Sequence, residues 1–443
     1  MSELDRRHFL AVAAATLASR AFDHAAIQRR VDVMTGTLTD VVHDTDTHEP
    51  EIRPFHVHVP DAEVADLNRR VKTTRWPDKE TVNDDTQGVQ FATMQQLARY
   101  WASDYDWRKV EARINALPNF ITNIDGLDIH FIQVKSKEAN ALPMIITHGW
   151  PGSIIEQMKV IGPLTDPVAY GGKASDAFDV VVPSLPGYGF SGKPTSGGWN
   201  PVRIAKVWAT LMQRLGYTRY VAQGGDWGNA VSETMALQTP PGLLAISTNM
   251  AATVPREISQ LLQSGGKPPA TLTADELNAW KQLDLFYKKG LGYANEMNLR
   301  PQTLYALEDS PVGLAAWMLD HDIRSYELIA RVFDGQKEGL TRDDILDNVS
   351  LYWFTKTAIS SARLYWETAQ VSTSGFFDPR NVQLPVAVTV FPDEIYAAPK
   401  SWAERAYPKL IYFSKVGKGG HFAAWEQPEA FVAEQRAAFR TLR

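Results

Sequence analysis

Short runs of apolar residues alternate with helix-length segments through most of the chain. Residues 120–134 have the pattern of a hairpin that turns at Asp125-Gly126. The later apolar runs cover residues 144–146, 180–182, 220–223, 244–246, 386–390 and 410–413. Runs of this length, separated by helices, are typical of parallel strands that are covered on both faces. The pattern therefore predicts an α/β protein with a mostly parallel central sheet.

The alternation stops between about residues 251 and 374, where helical signals dominate. One of these signals is the capping box formed by Thr273 and Glu276. A helical insertion after the sixth predicted strand would lie over the sheet as a lid. The core would then consist of residues 120–250 and 375–443, with the lid at residues 251–374.

A separate unit precedes the core, between residues 53 and 119. Residues 55–59 alternate like a strand, and Asp61 is the predicted N-cap of a helix. A second helical stretch carries Leu97, Tyr100 and Trp101. His56 and His58 share one face of the predicted strand, so they could be metal ligands or half-exposed strand residues.

Composition narrows the functional class. The chain has 443 residues, of which 44% are hydrophobic and 22% charged, and its formal net charge is -6. This balance is typical of a soluble globular protein and gives no electrostatic reason to expect nucleic acid binding. The chain contains no cysteine, which excludes disulfides, thiolate metal sites and a cysteine nucleophile. No apolar run reaches the roughly 18 residues that a membrane span needs.

The N-terminus resembles a twin-arginine export signal. Arg6-Arg7 is followed by His8-Phe9-Leu10 and an uncharged, alanine-rich stretch over residues 11–18. We expect a signal at residues 1–30 and a linker at 31–51, with a frayed amphipathic helix as the alternative. The signal would make the export machinery a transient partner and place a bacterial enzyme in the periplasm or outside the cell. An unused signal would leave it in the cytoplasm. The linker contains His43 and His48 among acidic residues, a minor metal-site option.

The stretch Gly224-Gly225-Asp226-Trp227-Gly228 has the pattern of a nucleophile elbow. A strand-like run precedes it and a helical segment follows it. Small residues at Gly224 and Gly228 make such a sharp strand-to-helix turn sterically possible. Because the central residue is a carboxylate, it would attack an electrophilic sp3 carbon and form an ester that water must cleave. An ordinary glycine-rich turn with a capping aspartate is the alternative.

Behind an elbow nucleophile, an acid and then a histidine should follow in the chain. His421 lies on a glycine-rich loop after the last predicted strand and is the only histidine after His321. The acid should follow the preceding strand, where Asp393 and Glu394 are adjacent. Both carboxylates remain candidates for orienting His421.

Loops after two other predicted strands complete the candidate site. In this architecture the loop containing His148 and Trp150 donates one backbone N–H to an oxyanion hole, and the residue after the nucleophile donates the other. The predicted donors are the N–H groups of Trp150 and Trp227, and His148 is expected to be structural. Residues 187–193 contain a GxGxxG pattern, but Pro194 replaces the Ser/Thr of a phosphate-binding loop. We interpret this segment as a loop at the rim of the pocket.

From about residue 52 to its end, the chain resembles the microsomal-type epoxide hydrolases. Motifs from several regions carry the resemblance: Arg75-Trp76-Pro77-Asp78, Tyr105-Asp106-Trp107-Arg108, His148-Gly149-Trp150-Pro151-Gly152-Ser153, Gly224-Gly225-Asp226-Trp227-Gly228, Ser310-Pro311-Val312-Gly313-Leu314-Ala315-Ala316 and Gly419-Gly420-His421-Phe422-Ala423-Ala424. The resemblance implies an α/β-hydrolase fold with a helical lid. It also implies an N-terminal meander domain at 52–160 that runs into the first strands of the core.

The resemblance also implies roles for individual residues. The family's Phe-Pro-x-Glu motif implies that Glu394 is the charge-relay acid, with the adjacent Asp393 as a departure that stays the alternative. Two lid tyrosines of the family correspond to Tyr293 and Tyr365. Tyr365 would deliver a proton to the opening epoxide, and Tyr293 would hydrogen-bond the epoxide oxygen.

These residues together predict an epoxide hydrolase that makes vicinal diols through an ester on Asp226. His421 would be the general base, the substrates would be an epoxide and water, and no cofactor or metal would be needed. Detoxification or aromatic hydrocarbon catabolism would be its setting. Alternatives are a haloalkane dehalogenase with the same nucleophile or a non-catalytic ligand-binding member of the fold. The oligomeric state is open, a homodimer included.

Overall fold

The computed structural model describes residues 51–372 and 375–443. The predicted export signal at 1–30 and the linker at 31–51, apart from its last residue, lie outside the described residues. So does the histidine-containing segment of that linker.

A nine-stranded sheet forms the centre of the molecule, in the order β1-β2-β3-β5-β4-β6-β7-β8-β9. The strands are β1 (Arg53–Pro54), β2 (Asn119–Ile124), β3 (Leu127–Val134), β4 (Leu142–Thr147), β5 (Phe178–Pro183), β6 (Tyr220–Gly224), β7 (Leu243–Thr248), β8 (Val386–Val390) and β9 (Leu410–Lys415). Strands β1, β2, β3 and β5 pair antiparallel in that order, and all other neighbours are parallel. The predicted mostly parallel sheet is confirmed.

Each apolar run of the sequence is a strand of this sheet. Strands β4 and β6 are buried along their whole length, as expected for strands with helices on both faces. The predicted hairpin joins β2 to β3, and its turn residues Asp125 and Gly126 have φ values of 55° and 77°. Positive φ at both central residues is the requirement of the tight turn that matches strand twist.

Helices flank the sheet and fill the segment between β7 and β8. They are α1 (Asp61–Lys72), α2 (Phe91–Ser103), α3 (Trp107–Asn115), α4 (Ile154–Thr165), α5 (Pro201–Arg214), α6 (Asp226–Gln238), α7 (Arg256–Gln263), α8 (Ala274–Leu285), α9 (Gly292–Leu299), α10 (Pro311–Leu319), α11 (Ile323–Phe333), α12 (Arg342–Thr355), α13 (Ala358–Ala369), α14 (Lys400–Ala406), α15 (Ala423–Glu426) and α16 (Pro428–Ala438). Helices α7 to α13 form the inserted helical segment. Over the described part of the chain, no helix is both long and apolar enough to cross a membrane.

Helix α8 begins with the capping box that the sequence pattern of Thr273 and Glu276 predicts. Thr273 accepts a hydrogen bond from the N–H of Glu276, and Glu276 accepts one from the N–H of Thr273. The reciprocal pair satisfies two N–H groups that a helix start leaves without partners. The predicted capping box is confirmed.

Two details of the N-terminal unit differ from the sequence interpretation. The predicted strand at residues 55–59 is wrong, since only Arg53–Pro54 pairs as a strand. Beyond it, the Val57 N–H donates to Asn115 Oδ1 at 2.8 Å and the Val59 N–H to Glu111 at 2.6 Å. Burial does alternate along residues 55–59, but the backbone N–H groups bond to side chains of α3 and not to a neighbouring strand. His56 and His58 accordingly point outward and are exposed.

The predicted N-cap at Asp61 is also wrong. Helix α1 begins at Asp61 itself, and Pro60 occupies the cap position without a side-chain hydrogen bond. The Pro60 carbonyl accepts from the N–H groups of Glu63 and Val64. Asp61 instead pairs with Arg108 on α3, so its charge ties two helices of the unit together.

The N-terminal unit packs directly on the inserted helices. Tyr100 donates to Asp343 at 2.8 Å and Tyr105 to Asp347 at 3.0 Å, both on α12. Trp101 Nε1 donates to Ser350 Oγ at 3.1 Å on the same helix. One face of the unit thereby fixes the position of helix α12.

Candidate active site

Asp226 occupies the turn between β6 and α6 with a φ of 49°. A Cβ on Gly224 would lie 2.1 Å from the backbone of Gly228, and a Cβ on Gly228 would lie 2.0 Å from the Thr147 carbonyl oxygen. Only glycine fits these positions without moving backbone, and positive φ is strained for an aspartate. The strained elbow expected from the sequence is present, with the carboxylate of Asp226 raised above the end of the sheet.

His421 lies beside this carboxylate. Its Nε2 is 3.9 Å from Asp226 Oδ2, and its Nδ1 is 2.6 Å from Glu394 Oε1. An ionised carboxylate only accepts, so Nδ1 carries the proton that Glu394 binds and Nε2 faces Asp226. Glu394 is buried, whereas Asp393 is exposed. Of the two adjacent carboxylates, the structure therefore places Glu394 on the histidine.

Charge around His421 decides its protonation. Burial would lower the pKa of His421, but the negative charges of Glu394, Asp226 and Asp322 outweigh burial and raise that pKa to about 10. The imidazole is therefore protonated at neutral pH.

The glycine-rich loop of His421 is held from two sides. Backbone bonds join it to Asp393, whose N–H donates to the Gly419 carbonyl at 3.0 Å. A Cβ on Gly420 would lie only 2.9 Å from the Asp393 carbonyl oxygen. On the other side, buried Glu426 accepts from the N–H groups of Gly420 and Phe422 at 2.9 and 3.0 Å. Asp393 thus supports the histidine through its backbone, and Glu426 is a bracing residue that the sequence analysis missed.

The loop after β4 meets the elbow as predicted. The Trp150 N–H donates to Asp226 Oδ1 at 2.8 Å, and a Cβ on Gly149 would overlap the Asp226 side chain. Trp227 follows Asp226 in the first turn of α6, where N–H groups have no partner within the helix. His148 is structural, because it bridges the Leu185 N–H and the Gly149 carbonyl. Burial lowers the pKa of His148 to about 4, which keeps it neutral.

The two predicted tyrosines come from helices α9 and α13 of the inserted segment. The Tyr293 ring stacks on Trp150 with centroids 4.8 Å apart, and the Tyr365 ring lies edge-on to Trp227 at 4.7 Å. Their ring centroids are 6.0 Å apart. Burial raises the pKa of both phenols well above its usual value, so both remain O–H donors at neutral pH.

Two family models match parts of the chain that contribute to this site. The profile for the epoxide hydrolase N terminus matches residues 52–157, and that for the alpha/beta hydrolase fold matches residues 143–310. Epoxide hydrolase 1 of Sus scrofa is 34% identical over 402 residues, covering 88% of each chain. The chain belongs to the microsomal-type epoxide hydrolase family.

Further relatives of this epoxide hydrolase belong to the same class of enzyme. A protein of Stigmatella aurantiaca (strain DW4/3-1), whose name assigns it provisionally to the epoxide hydrolases, is 50% identical over 396 residues, covering 88% of this chain and 86% of its own. The crystal structure of juvenile hormone epoxide hydrolase from Bombyx mori matches with a TM-score of 0.77 at 30% identity, covering 89% of this chain and 96% of its own. The structure of Aspergillus niger epoxide hydrolase matches with a TM-score of 0.73 at 29% identity, covering 89% and 97%. The expected α/β-hydrolase fold and the enzyme class are both confirmed.

The epoxide hydrolase has a pocket of about 480 Å³ that contains Asp226 and both tyrosines. Aromatic side chains form much of its wall: Trp227, Phe286, Tyr287, Phe376 and Phe377. Pockets of this size and apolar lining, with few polar groups, are typical of small-molecule sites.

The loop at residues 187–193 lies beside the lid in this enzyme. Ser360 Oγ donates to the Gly187 carbonyl at 2.6 Å, and the Tyr188 hydroxyl donates to the Ser361 carbonyl at 3.2 Å. Both contacts reach helix α13, which carries Tyr365. The loop therefore supports the lid.

A second imidazole–carboxylate pair, His321 and Asp322, lies next to the site. The His321 ring centroid is 4.4 Å from that of His421, and His321 Nδ1 is 2.9 Å from Asp322 Oδ2. Asp322 also N-caps α11 through the Ser325 N–H. The sequence analysis missed this pair, since a histidine before a capping aspartate is an ordinary pattern between two helices.

Among the described residues, one set of three side chains could hold a metal ion. Donor atoms of Asp226, His321 and His421 all lie within 4.8 Å of one another. An ion bound there would occupy the predicted nucleophile and the predicted base at the same time.

Proposed function

We propose that this epoxide hydrolase works through a covalent ester between Asp226 and the substrate. The observation that supports it is the position of Asp226, whose carboxylate lies in the pocket with both tyrosines and also faces the His421–Glu394 pair. A nucleophile, a proton donor and a base are thereby within reach of one substrate-sized space.

In the first half-reaction, the two phenols would hold the epoxide oxygen while Asp226 attacks a ring carbon. Trp150 holds Oδ1, so Oδ2 is the oxygen free to attack. A new carbon–oxygen bond forms to Oδ2, the ring carbon–oxygen bond breaks, and its electron pair stays on the epoxide oxygen. Tyr365 supplies the proton that neutralises this alkoxide, with Tyr293 as the second hydrogen-bond donor. Protonated His421 stabilises the attacking carboxylate before it reacts.

Before the second half-reaction, a net proton transfer from protonated His421 to the Tyr365 phenolate restores the phenol and leaves the imidazole neutral. Water then attacks the ester carbonyl of Asp226 as neutral His421 accepts one of its protons. Ester formation removes the charge of Asp226, which is one of the charges that raise the pKa of His421. The imidazole therefore becomes easier to deprotonate once the ester exists, and Glu394 stabilises its charged form during attack. The carbonyl electrons move to Oδ1, where Trp150 and Trp227 would donate hydrogen bonds. On collapse, the leaving diol oxygen takes its proton from His421. The proton of the new carboxyl group then passes to His421, which restores the Asp226 carboxylate and the protonated imidazole.

The tyrosine pair favours this reaction over haloalkane dehalogenation. A halide leaves as an anion and needs no proton, whereas an epoxide oxygen leaves as an alkoxide and needs one. Two buried O–H donors in the pocket of Asp226 supply that proton and hold the oxygen. A non-catalytic role is disfavoured because the nucleophile, the histidine pair and both phenols are all in place.

Replacing the base should trap the intermediate. We expect His421→Gln to form the ester from styrene oxide but to hydrolyse it at least about a hundredfold more slowly. Intact-protein and peptide mass spectrometry would locate the adduct on Asp226. Asp226→Ala is the matched control and should gain no mass. An adduct on another residue, or full diol formation by Asp226→Ala, would contradict the proposal.

We also propose that the enzyme is exported, on the strength of residues Arg6 and Arg7 and the apolar stretch after them. Changing both arginines to lysine should keep the folded enzyme in the cytoplasm of a twin-arginine-competent bacterium. Equal export of both forms would contradict this proposal.

A further inference from the structure

A small cavity lies beside Asp226, apart from the substrate pocket. Its volume is about 20 Å³, and its walls include Asp226, His421, Glu156, Gln157 and Asn249. A polar cavity needs roughly 10–15 Å³ to hold one water molecule, and that water needs two to four polar partners. This cavity therefore has the size and the lining for a single water in contact with both Asp226 and His421.

Glu156 is the acidic side chain of this cavity that the two half-reactions do not use. It lies in the first turn of α4 and is buried. Its Oε1 accepts from Gln157 Nε2 at 2.8 Å, and its Oε2 lies over Gly152, where a Cβ would come within 1.8 Å. Gly152 thus leaves the space that the carboxyl group occupies.

The cavity also presents hydrogen-bonding capacity that protein atoms do not use. Gln157 Oε1 is buried without a hydrogen-bond partner among the described residues. Burial raises the pKa of Glu156 to about 8, so at neutral pH this carboxyl group is protonated and can both donate and accept. Buried polar atoms of this kind are normally satisfied by a protein group or by an ordered water.

We propose that this cavity binds the water that hydrolyses the Asp226 ester, and that Glu156 positions this water. The proposal rests on the ester mechanism given above. The water oxygen forms a bond to the ester carbonyl carbon, one water proton moves to His421 Nε2, and the carbonyl electron pair moves to Oδ1. When the ester carbon–oxygen bond breaks, the diol oxygen takes its proton from His421. Glu156 exchanges no proton and serves as a positioning residue.

Separate rates for ester formation and ester hydrolysis distinguish a water-positioning role of Glu156 from a merely structural one. Glu156→Met has nearly the same shape but no hydrogen-bonding group. We expect it to form the Asp226 ester from styrene oxide at a rate within about threefold of wild type, but to hydrolyse it on the order of a hundredfold more slowly. Glu156→Gln keeps a donor and an acceptor in the same place, so its hydrolysis rate should recover to within about tenfold of wild type. Single-turnover kinetics, with the ester followed by intact mass and the diol by chromatography, measures both rates.

A second variant fills the cavity and leaves Glu156 unchanged. Ala424 lines the cavity and is buried. Ala424→Val should displace the water and slow hydrolysis more than ester formation. Gln435→Met is the control: it replaces a buried polar side chain of α16 that does not line the cavity, and the ratio of the two rates should stay at its wild-type value.

The outcomes are distinguishable. Ester formation followed by hydrolysis at the wild-type rate in both Glu156→Met and Ala424→Val would overturn the water site and leave the ester mechanism intact. Failure to detect an ester in any of these proteins, including His421→Gln, would instead overturn the ester mechanism itself.

Discussion

The two sides of the active site are built in different ways. On the sheet side, Asp226, Glu394 and His421 follow the ends of β6, β8 and β9, and direct hydrogen bonds fix their positions. On the lid side, Tyr293 and Tyr365 lie within helices, and aromatic ring contacts with the two tryptophans hold them. In the proposed mechanism, the sheet side provides the nucleophile and the base, whereas the lid side provides hydrogen-bond donors to the substrate oxygen.

In that proposed mechanism, the two sides act in different half-reactions. The lid phenols act only while the epoxide opens, so a change there should slow ester formation. The His421–Glu394 pair acts mainly when water attacks, so a change there should slow ester hydrolysis.

The sharpest test on the sheet side compares two adjacent acids. Glu394→Gln removes the charge that stabilises protonated His421 and should lower kcat on the order of 10³- to 10⁴-fold, with the ester accumulating. Asp393→Asn should stay within about twofold of wild type, because Asp393 supports the loop only through its backbone. Steady-state kinetics with mass detection of the ester checks both variants. The reverse order of effects would move the relay role to Asp393.

On the lid side, removing a hydroxyl should affect only the first half-reaction. Tyr365→Phe should slow ester formation about 10²-fold and Tyr293→Phe about tenfold, since each removes one donor to the developing alkoxide. Rapid-quench measurement of ester formation gives the rates, and hydrolysis of an ester already formed should be unchanged. Equal slowing of hydrolysis would show that the phenols also act on the water, and the two-sided account would then fail.

The same contrast explains what could be predicted from the sequence. Sheet-side residues follow apolar strands in a fixed chain order, so Asp226 and His421 can be found from pattern and spacing alone. The lid tyrosines have no such signal, and only the family resemblance identified them. His321, Glu156 and Glu426 were missed. Each lies in an ordinary local sequence pattern, and its place in the site depends on contacts with residues far away in the chain.

The strand predicted at residues 55–59 failed for a related physical reason. Alternating burial requires a surface on one side, and helix α3 supplies that surface as well as a neighbouring strand would. The side chains of Asn115 and Glu111 accept hydrogen bonds from the Val57 and Val59 N–H groups in place of a strand ladder, and they lie 58 and 52 residues away in the chain. Local periodicity cannot reveal such distant partners.

The smallest effects should appear as opposite pH dependences of stability. Burial raises the pKa of Glu156, on the sheet side, to about 8. Burial opposes ionisation of Asp322 on the lid side, but its hydrogen bond to His321 and the charges of His321 and His421 lower its pKa to about 2. The contribution of Glu156 to the free energy of unfolding is therefore present below its unfolded pKa and is lost as the pH rises through about 8. The contribution of Asp322 to the free energy of unfolding is present above its unfolded pKa and is lost as the pH falls towards about 2.

Urea unfolding across the pH range checks these windows. Relative to wild type, Glu156→Gln should gain more than about 1 kcal/mol of unfolding free energy between pH 5 and pH 9, since one pKa unit corresponds to about 1.4 kcal/mol. Asp322→Asn should lose less stability than wild type on acidification from pH 5 to pH 2.5. Parallel pH profiles for wild type and either variant would contradict the assigned protonation state of that carboxyl group.

The most direct test of the central claim is a single turnover of excess enzyme with styrene oxide in ¹⁸O-labelled water. The ester mechanism predicts label in the Asp226 carboxylate and a first-turnover diol without it, because the diol oxygen comes from Asp226. A labelled first-turnover diol with unlabelled Asp226 would mean that water attacks the epoxide directly, and would contradict the account.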